Sequence, residues 1–254
     1  MIVTFLGTGT SQGVPLIGCN CNVCTSGNSK DKRLRTSILI QNANTHIVVD
    51  TGADFRQQML RENVQQLDAV LYTHEHKDHL AGMDEVRAFN FKTGNAMQLY
   101  ATARVQQAIR NEFAYVFSNS KYPGVPQINL NTINALTVFK VQDTVITPIE
   151  VMHASMPVLG FRIKNFTYVT DANYISETEL QKTIGTDVLV INALRREQHI
   201  SHFTLQQALN LIAIIQPKTA YLTHISHQLG LHQEVMKELP PNVFLAYDGL
   251  VINC

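Results

Sequence analysis

His74, His76, Asp78 and His79 fall within one six-residue run, His74-Glu75-His76-Lys77-Asp78-His79. Imidazole and carboxylate groups are ligands for zinc, manganese or iron. Four of them this close together converge only if the chain turns sharply. The run follows an apolar stretch, residues 68–73, that reads as a buried strand. Other candidates also end β-rich runs: Asp50 after residues 45–49, His153 after 146–152, Asp171 after 168–170 and His224 after 221–223. In layered α/β architectures, strand ends are where sites assemble. A pair of divalent metals held there could generate hydroxide at neutral pH and clamp a substrate oxygen. Glu75 and Lys77 alternate with the ligand candidates and read as solvated or structural rather than catalytic.

Cys19, Cys21 and Cys24 form a second cluster, and the fourth cysteine is the terminal Cys254. Cys-x-Cys-x-x-Cys in a chain of cytosolic character suggests metal binding before it suggests disulfides. A closed tetrahedral zinc site needs four ligands. Cys254 sits at the chain end, so a distant histidine is the better fourth candidate.

The elements that must position these groups follow from periodicity and turn chemistry. Strands are expected over residues 2–6, 36–41, 45–50, 144–152, 159–163, 166–170, 188–193 and 219–223. Helices are expected over 54–62, from 80 to 89, from the Thr102 cap to 117, over 177–183 and over 205–215. Residues 244–247 and 250–252 read as a closing hairpin around Asp248-Gly249. Residues 91–134 read as an insertion that covers the site. His46 is placed on a strand face and His232 on a surface helix, neither with an assigned role. One domain over residues 1–254 is the simplest organisation, since no repeat or Pro/Ser-rich linker interrupts the chain.

Composition removes some functions. Lys plus Arg and Asp plus Glu both number 20, giving a formal net charge of zero, so no basic surplus points to broad nucleic-acid binding. The first residues lack a basic n-region and a long apolar h-region, and no apolar run reaches membrane-spanning length. The expectation is a cytoplasmic protein with no membrane partner, and a homodimer is compatible with it.

The pattern His74-x-His76-x-Asp78-His79, followed by His153, Asp171 and His224, resembles the metallo-β-lactamase superfamily of binuclear metallohydrolases. That resemblance implies an α/β fold, a four-layer αββα sandwich of two mixed sheets flanked by helices. It implies that His74, His76 and His153 hold one metal, that Asp78, His79 and His224 hold a second, and that Asp171 bridges ions about 3.5–4 Å apart. Asp50 would hold a ligand imidazole by its free N–H rather than touch a metal. Within the superfamily, three features are similar to the phosphonate-pathway cyclic phosphodiesterases: Gly18-Cys19-Asn20-Cys21-Asn22-Val23-Cys24, His224-Ile225-Ser226-His227, and Arg195-Arg196 with His199-Ile200-Ser201-His202. That branch implies a structural zinc on Cys19, Cys21, Cys24 and His227, besides the two zinc, manganese or iron ions of the active site. It also implies a small cyclic phosphodiester substrate such as phosphoribosyl 1,2-cyclic phosphate. Metal-bound hydroxide would attack phosphorus at Asp78 and Asp171, with His202 as general acid and His199 its nearby competitor. A ribonuclease Z-like nuclease, a lactone or ester hydrolase, and a non-catalytic metal-stabilised binding protein are the alternatives. Nucleic acid is disfavoured by the zero net charge.

Overall fold

The computed structural model describes residues 1–119 and 122–254. Strands β1 (Ile2–Gly7), β2 (Ser37–Asn42), β3 (Thr45–Val49), β4 (Ala69–Leu71), β5 (Met97–Ala101) and β6 (Ile128–Thr132) lie in one sheet. Strands β7 (Phe139–Val141), β8 (Thr144–His153), β9 (Met156–Ile163), β10 (Phe166–Tyr168), β11 (Tyr174–Ile175), β12 (Val188–Asn192), β13 (Thr219–Thr223) and β14 (Val243–Leu245) form the second. The last strand, β15 (Val251–Asn253), returns to the first sheet beside β1. Both sheets are mixed: β1–β2 and β8–β9 are antiparallel, whereas β3–β4 and β12–β13 are parallel. The described α-helices are α1 (Asn22–Thr25), α2 (Phe55–Arg61), α3 (Lys77–Leu80), α4 (Arg87–Thr93), α5 (Ala103–Glu112), α6 (Glu177–Gln181), α7 (Leu205–Ile215) and α8 (His232–Glu238).

Strand alternation explains the layers. On β3, Ile47 and Val49 point to the second sheet, where they join Phe161, Phe166 and Val190. Val48 points the other way, into a cluster with Phe55, Leu80, Phe89 and Ile109 from the overlying helical segments. On β12, Leu189 and Ile191 face Ala208 and Ile212 of α7, while Val190 faces the first sheet. Strands covered on both faces are apolar at consecutive positions, and for this reason the Ile-Val-Val and Val-Leu-Val-Ile runs do not alternate with polar residues. Three apolar layers between four layers of structure make the fold the expected αββα sandwich.

Three expectations are corrected. Residues 91–134 are not a detached cover: they supply β5 and β6, which extend the first sheet in parallel, and α5 lies between them. Ser120 and Lys121 of that segment lie outside the described residues. The strands were obscured by amides at their polar positions. Gln98 pairs with Asn129 in register, and Asn131 Nδ2 donates to Gln98 Oε1 at 3.2 Å. The closing hairpin does not form either. β14 pairs with β13 in one sheet and β15 with β1 in the other, so Asp248-Gly249 is a crossover between sheets. A turn signal is local, whereas strand partners are chosen by long-range packing. Gly249 has φ +85°, a left-handed backbone that suits glycine at this crossover.

The third correction is His232, which is 5% exposed rather than on the surface. Its Nδ1 faces Arg33 Nη2 at 3.2 Å, and its backbone N–H donates to Asp31 at 2.7 Å. Arg33 is itself buried and donates to Thr8 Oγ1 and the Ala246 carbonyl at 2.8 and 2.6 Å. Burial pulls the Arg33 guanidinium down to about 10, against the pull of Asp248 and Asp31. This network ties the long β1–β2 loop to the end of the second sheet. No helix among the described residues is long and apolar enough to cross a membrane.

Candidate metal centre

Five strands bring their ends to one edge of the sandwich. β3 delivers Asp50, β4 leads into His74, β8 ends on His153, and Asp171 and His224 follow β10 and β13. Asp50, Asp171 and His224 have φ of 65°, 53° and 55°, in the left-handed region that non-glycine residues seldom occupy. Such conformations cost of order 1–3 kcal/mol each and persist where surrounding structure holds them. Here they turn the side chains out of the strand direction and toward one another. Gly52 lets the ligand-bearing turn come close: a Cβ there would collide with the Asp78 carbonyl.

The hydrogen bonds settle which imidazole nitrogen faces inward. Asp50 Oδ2 accepts from His79 Nδ1 at 2.7 Å and from Thr73 Oγ1 at 2.8 Å. Having donated its hydrogen, the Thr73 hydroxyl accepts from His74 Nδ1 at 2.9 Å. His153 Nδ1 donates to the Ser201 carbonyl at 2.8 Å. Three imidazoles therefore have Nδ1–H committed to an acceptor, the arrangement that orients metal-binding histidines. His74 Nε2 and His79 Nε2 are buried without a hydrogen-bond partner, and so are both ring nitrogens of His224. Buried polar atoms are rarely left unpaired unless something else satisfies them.

The side chains cluster as two overlapping sets. Asp78, His79, Asp171 and His224 place ligand atoms within 4.8 Å of one another. His79 Nε2 is 3.1 Å from Asp78 and 3.2 Å from Asp171, and His224 Nδ1 is 3.2 Å from the same Asp171 oxygen. The rings of His74, His76 and His153 lie 4.6 to 5.7 Å apart beside them. His76 is the exposed member, and the other six ligand candidates are more enclosed. Asp171 stands between the sets, with Thr170 Oγ1 donating to it at 2.7 Å.

His202 lies inside this cluster rather than beside it. Its Nδ1 is 3.9 Å from Asp171 Oδ1, and its ring centroid is 4.5 Å from His153 and 4.7 Å from His224. His199 is one step further out, half-buried, 5.1 Å from His202 between ring centroids. Glu75 and Lys77 point away from the centre. Arg104 Nε donates to Glu75 at 2.6 Å and Lys77 pairs with Glu112, so both charges clamp the turn to α5.

The electrostatics suit cations. Burial drives the His74 imidazole well below its usual range, and burial also lowers His224. Neutral imidazole is the ligating form. Burial alone would raise Asp171, but His224 and His79 outweigh it and hold the carboxyl well below the usual carboxylate range. Burial likewise opposes a charge on His79, yet Asp171, Asp78 and Asp50 hold it well above its usual value. Three carboxylates around one imidazole make a site of negative potential, to which a divalent ion is the natural counter-charge. The donor set therefore fits divalent metals, with nitrogen and carboxylate ligands suited to zinc, manganese or iron.

A second cluster sits at the base of the β1–β2 loop. Cys19, Cys21, Cys24 and His227 also lie within 4.8 Å of one another, and all the cysteines are free thiols. His227 Nδ1 is 3.5 Å from Cys19 Sγ and 3.3 Å from Cys21 Sγ. The contact with His227 lowers the Cys21 thiol to about 6, and burial raises Cys24 to about 11. The apolar packing here is small, centred on Val14, Val23 and Cys24. A loop with so little core needs a staple, and four soft ligands fit closed tetrahedral zinc. Cys24→Ala is expected to lower zinc content by about one ion per chain and to destabilise the fold by at least ~3 kcal/mol. Thermal unfolding with elemental analysis checks it, and an unchanged melting temperature with unchanged zinc would refute it.

Residues 45–225 match the family model for a β-lactamase superfamily domain. A crystal structure of a new diphosphatase from the PhnP family is 35% identical, superposes with a TM-score of 0.93, and is covered over 97% of its length by the whole of this chain. The chain belongs to the β-lactamase superfamily, in its PhnP family. An octanoyltransferase of Porphyromonas gingivalis is 41% identical over 96% of this chain, which spans only about half (50%) of that protein's length. Human tRNase Z, short form, superposes over 100% of this chain and 99% of its own, with TM-score 0.70 and 18% identity, a likeness of fold alone.

The ligand residues were legible as a motif, but their supports were not. Thr73, Thr170 and the Ser201 carbonyl orient ligands through bonds that no spacing rule encodes. Thr73 and Thr170 each immediately precede a ligand, and that adjacency was the available signal.

Proposed function

We propose that this chain is a phosphodiesterase that hydrolyses a small phosphate diester, of the class of phosphoribosyl 1,2-cyclic phosphate. The observation that carries the reading is His202. Seven residues suffice to hold two metals, and a sixth imidazole at 3.9 Å from the central carboxylate offers a proton-transfer group as well. Cleavage of an unactivated diester needs such a group, because the departing alkoxide is a poor leaving group. The diphosphatase relative, 35% identical, acts in keeping with phosphoryl chemistry.

His74, His76 and His153 would hold one ion, Asp78, His79 and His224 the other, with Asp171 shared between them. Two such ions lower the pKa of water and stabilise charge on phosphoryl oxygens when bound. Asp50 keeps His79 and, through Thr73, His74 in the ligating tautomer. Asp171, held by Thr170, fixes the attacking side of the site. As the bond from phosphorus to the leaving oxygen breaks, His202 delivers a proton to that oxygen. Burial and the neighbouring His224 push His202 down to about 2 in the free site. An anionic phosphate set against it favours the protonated form.

Turnover of bis-p-nitrophenyl phosphate by protein loaded with manganese or zinc tests the reading. Activity that is abolished by a chelator and restored by metal is expected. No turnover above metal-containing buffer would overturn it.

A further inference from the structure

On the outer side of the first sheet, α2 and α4 leave a groove of about 280 Å³ between them. Buried Phe55, Met59 and Phe89 form its floor, and exposed Leu60 and Ala88 form its walls. The groove is preformed, because the segments that begin its two walls are locked together. The Gly82 N–H donates to the Thr51 carbonyl at 2.8 Å and the Phe55 N–H to the Gly52 carbonyl at 3.0 Å. A Cβ at Gly82 would collide with that Gly52 carbonyl. At the other end Lys92 crosses from α4, its Nζ donating to the Gln65 carbonyl and Oε1 at 2.7 and 2.9 Å.

The face that carries this groove also carries a projection. Phe91 of α4 is 70% exposed, and Leu60 of α2 is 63% exposed. Phe91 follows Ala88 by three residues, so the two are neighbours on the helix surface and the ring stands next to the groove wall. Large apolar side chains gathered on one face mark an interaction surface, and aromatic residues are enriched at interface cores. The groove is also flanked by one cation and one anion, Arg56 and Glu85. The side chain of neither has an ionic or hydrogen-bonding partner among the described residues. Their neighbours differ, since Arg87 pairs with Asp84 at 3.1 Å. A face with a knob, a hole, a free cation and a free anion is complementary to itself. A twofold axis brings each feature against its counterpart, because residue i meets j wherever j meets i.

We infer that this face is a homodimer interface, in which Phe91 of each copy enters the α2–α4 groove of the other and Arg56 faces Glu85 of the partner subunit. A small ligand in the groove would leave Phe91 in water, whereas a second copy covers the ring, fills the groove and pairs both charges at once. The interface is independent of the phosphodiesterase reading and stands or falls apart from it.

Sedimentation equilibrium of the metal-loaded full chain tests it, and a dimer with Kd of about 10 µM or tighter is expected. Phe91→Asp is expected to weaken association by about 30-fold or more, the loss that follows truncation of a buried aromatic anchor. Because Phe91 is exposed within one chain, the variant should keep the wild-type circular dichroism spectrum. If it fails to fold, Leu60→Asp repeats the test from the opposite wall with the same expectation. Arg56→Glu and Glu85→Arg are each expected to weaken the dimer by about 5- to 10-fold, and the double variant to recover most of the loss. A wild type that stays monomeric at about 100 µM would overturn the proposal. So would a folded Phe91→Asp or Leu60→Asp that dimerises as tightly as wild type, which places the contact elsewhere. A double charge variant no tighter than either single one would overturn the twofold arrangement.

Discussion

Asp171→Asn is expected to lower turnover of a phosphodiester by about 10³-fold or more and to reduce bound metal at the centre. Asparagine keeps the shape and can still accept from Thr170, but it carries no charge. The wild-type carboxylate is 2% exposed, and one of its oxygens lies 3.2 Å from both His79 and His224. It is the group common to both clusters of potential ligands in the centre. Its loss therefore weakens two ion sites at once, whereas His76→Ala would remove one exposed ligand from a single set. The substitution also isolates charge from folding. Asp50 and Asp78 still face His79, so the imidazole keeps counter-charges, and the strand-end turn is unaltered in size. Elemental analysis, kcat/KM and thermal unfolding measured together decide it. Asp171→Asn activity within tenfold of wild type, at equal metal content, would remove Asp171 from the bridging position.

The same contrast between local and long-range information explains what could be read from the chain. The six-residue run announced metal binding because all four ligand candidates are local, and each remaining ligand followed an apolar run that had to be a strand. Periodicity also gave β8, β12, β13 and α7 nearly to the residue, since their apolar faces are unbroken, whereas β9 was read from residue 159 and begins at Met156. β5 and β6 were hidden because Gln98, Asn129 and Asn131 occupy their polar positions and amides are common in loops. β15 was read as a strand but given the wrong partner: Val-Ile-Asn fits a hairpin with β14 as well as it fits β1, and only the tertiary fold chooses. Within the site, the left-handed turns at Asp50, Asp171 and His224 have no sequence signature. Strain of this kind is held by surrounding packing, and residues far apart in the chain supply that packing.

His202→Ala is expected to cost about 10²–10⁴-fold on a diester with an alkyl leaving group and much less on bis-p-nitrophenyl phosphate. The difference follows from what leaves. An alkoxide must be protonated as its bond to phosphorus breaks, while p-nitrophenolate departs without help. A purely structural loss would slow both substrates alike, and a lost metal ligand would slow both with reduced metal content. His202 could act as a ligand on distance alone, because it clusters with His153 and Asp171, so metal analysis belongs in the same experiment. The pH profile separates the roles further. A general acid must be protonated in the substrate complex, so kcat on the alkyl diester falls as pH rises through its pKa in that complex. His202→Ala removes that falling limb, whereas loss of a ligand leaves it in place at a lower rate. His199→Ala provides the comparison. His199 lies outside the cluster, and its Nδ1 is already engaged with Ser201. Its removal should act on KM rather than on the dependence of rate on leaving group. If His199→Ala shows the leaving-group dependence and His202→Ala does not, the proton comes from the outer imidazole, and the inner one belongs with the ligands.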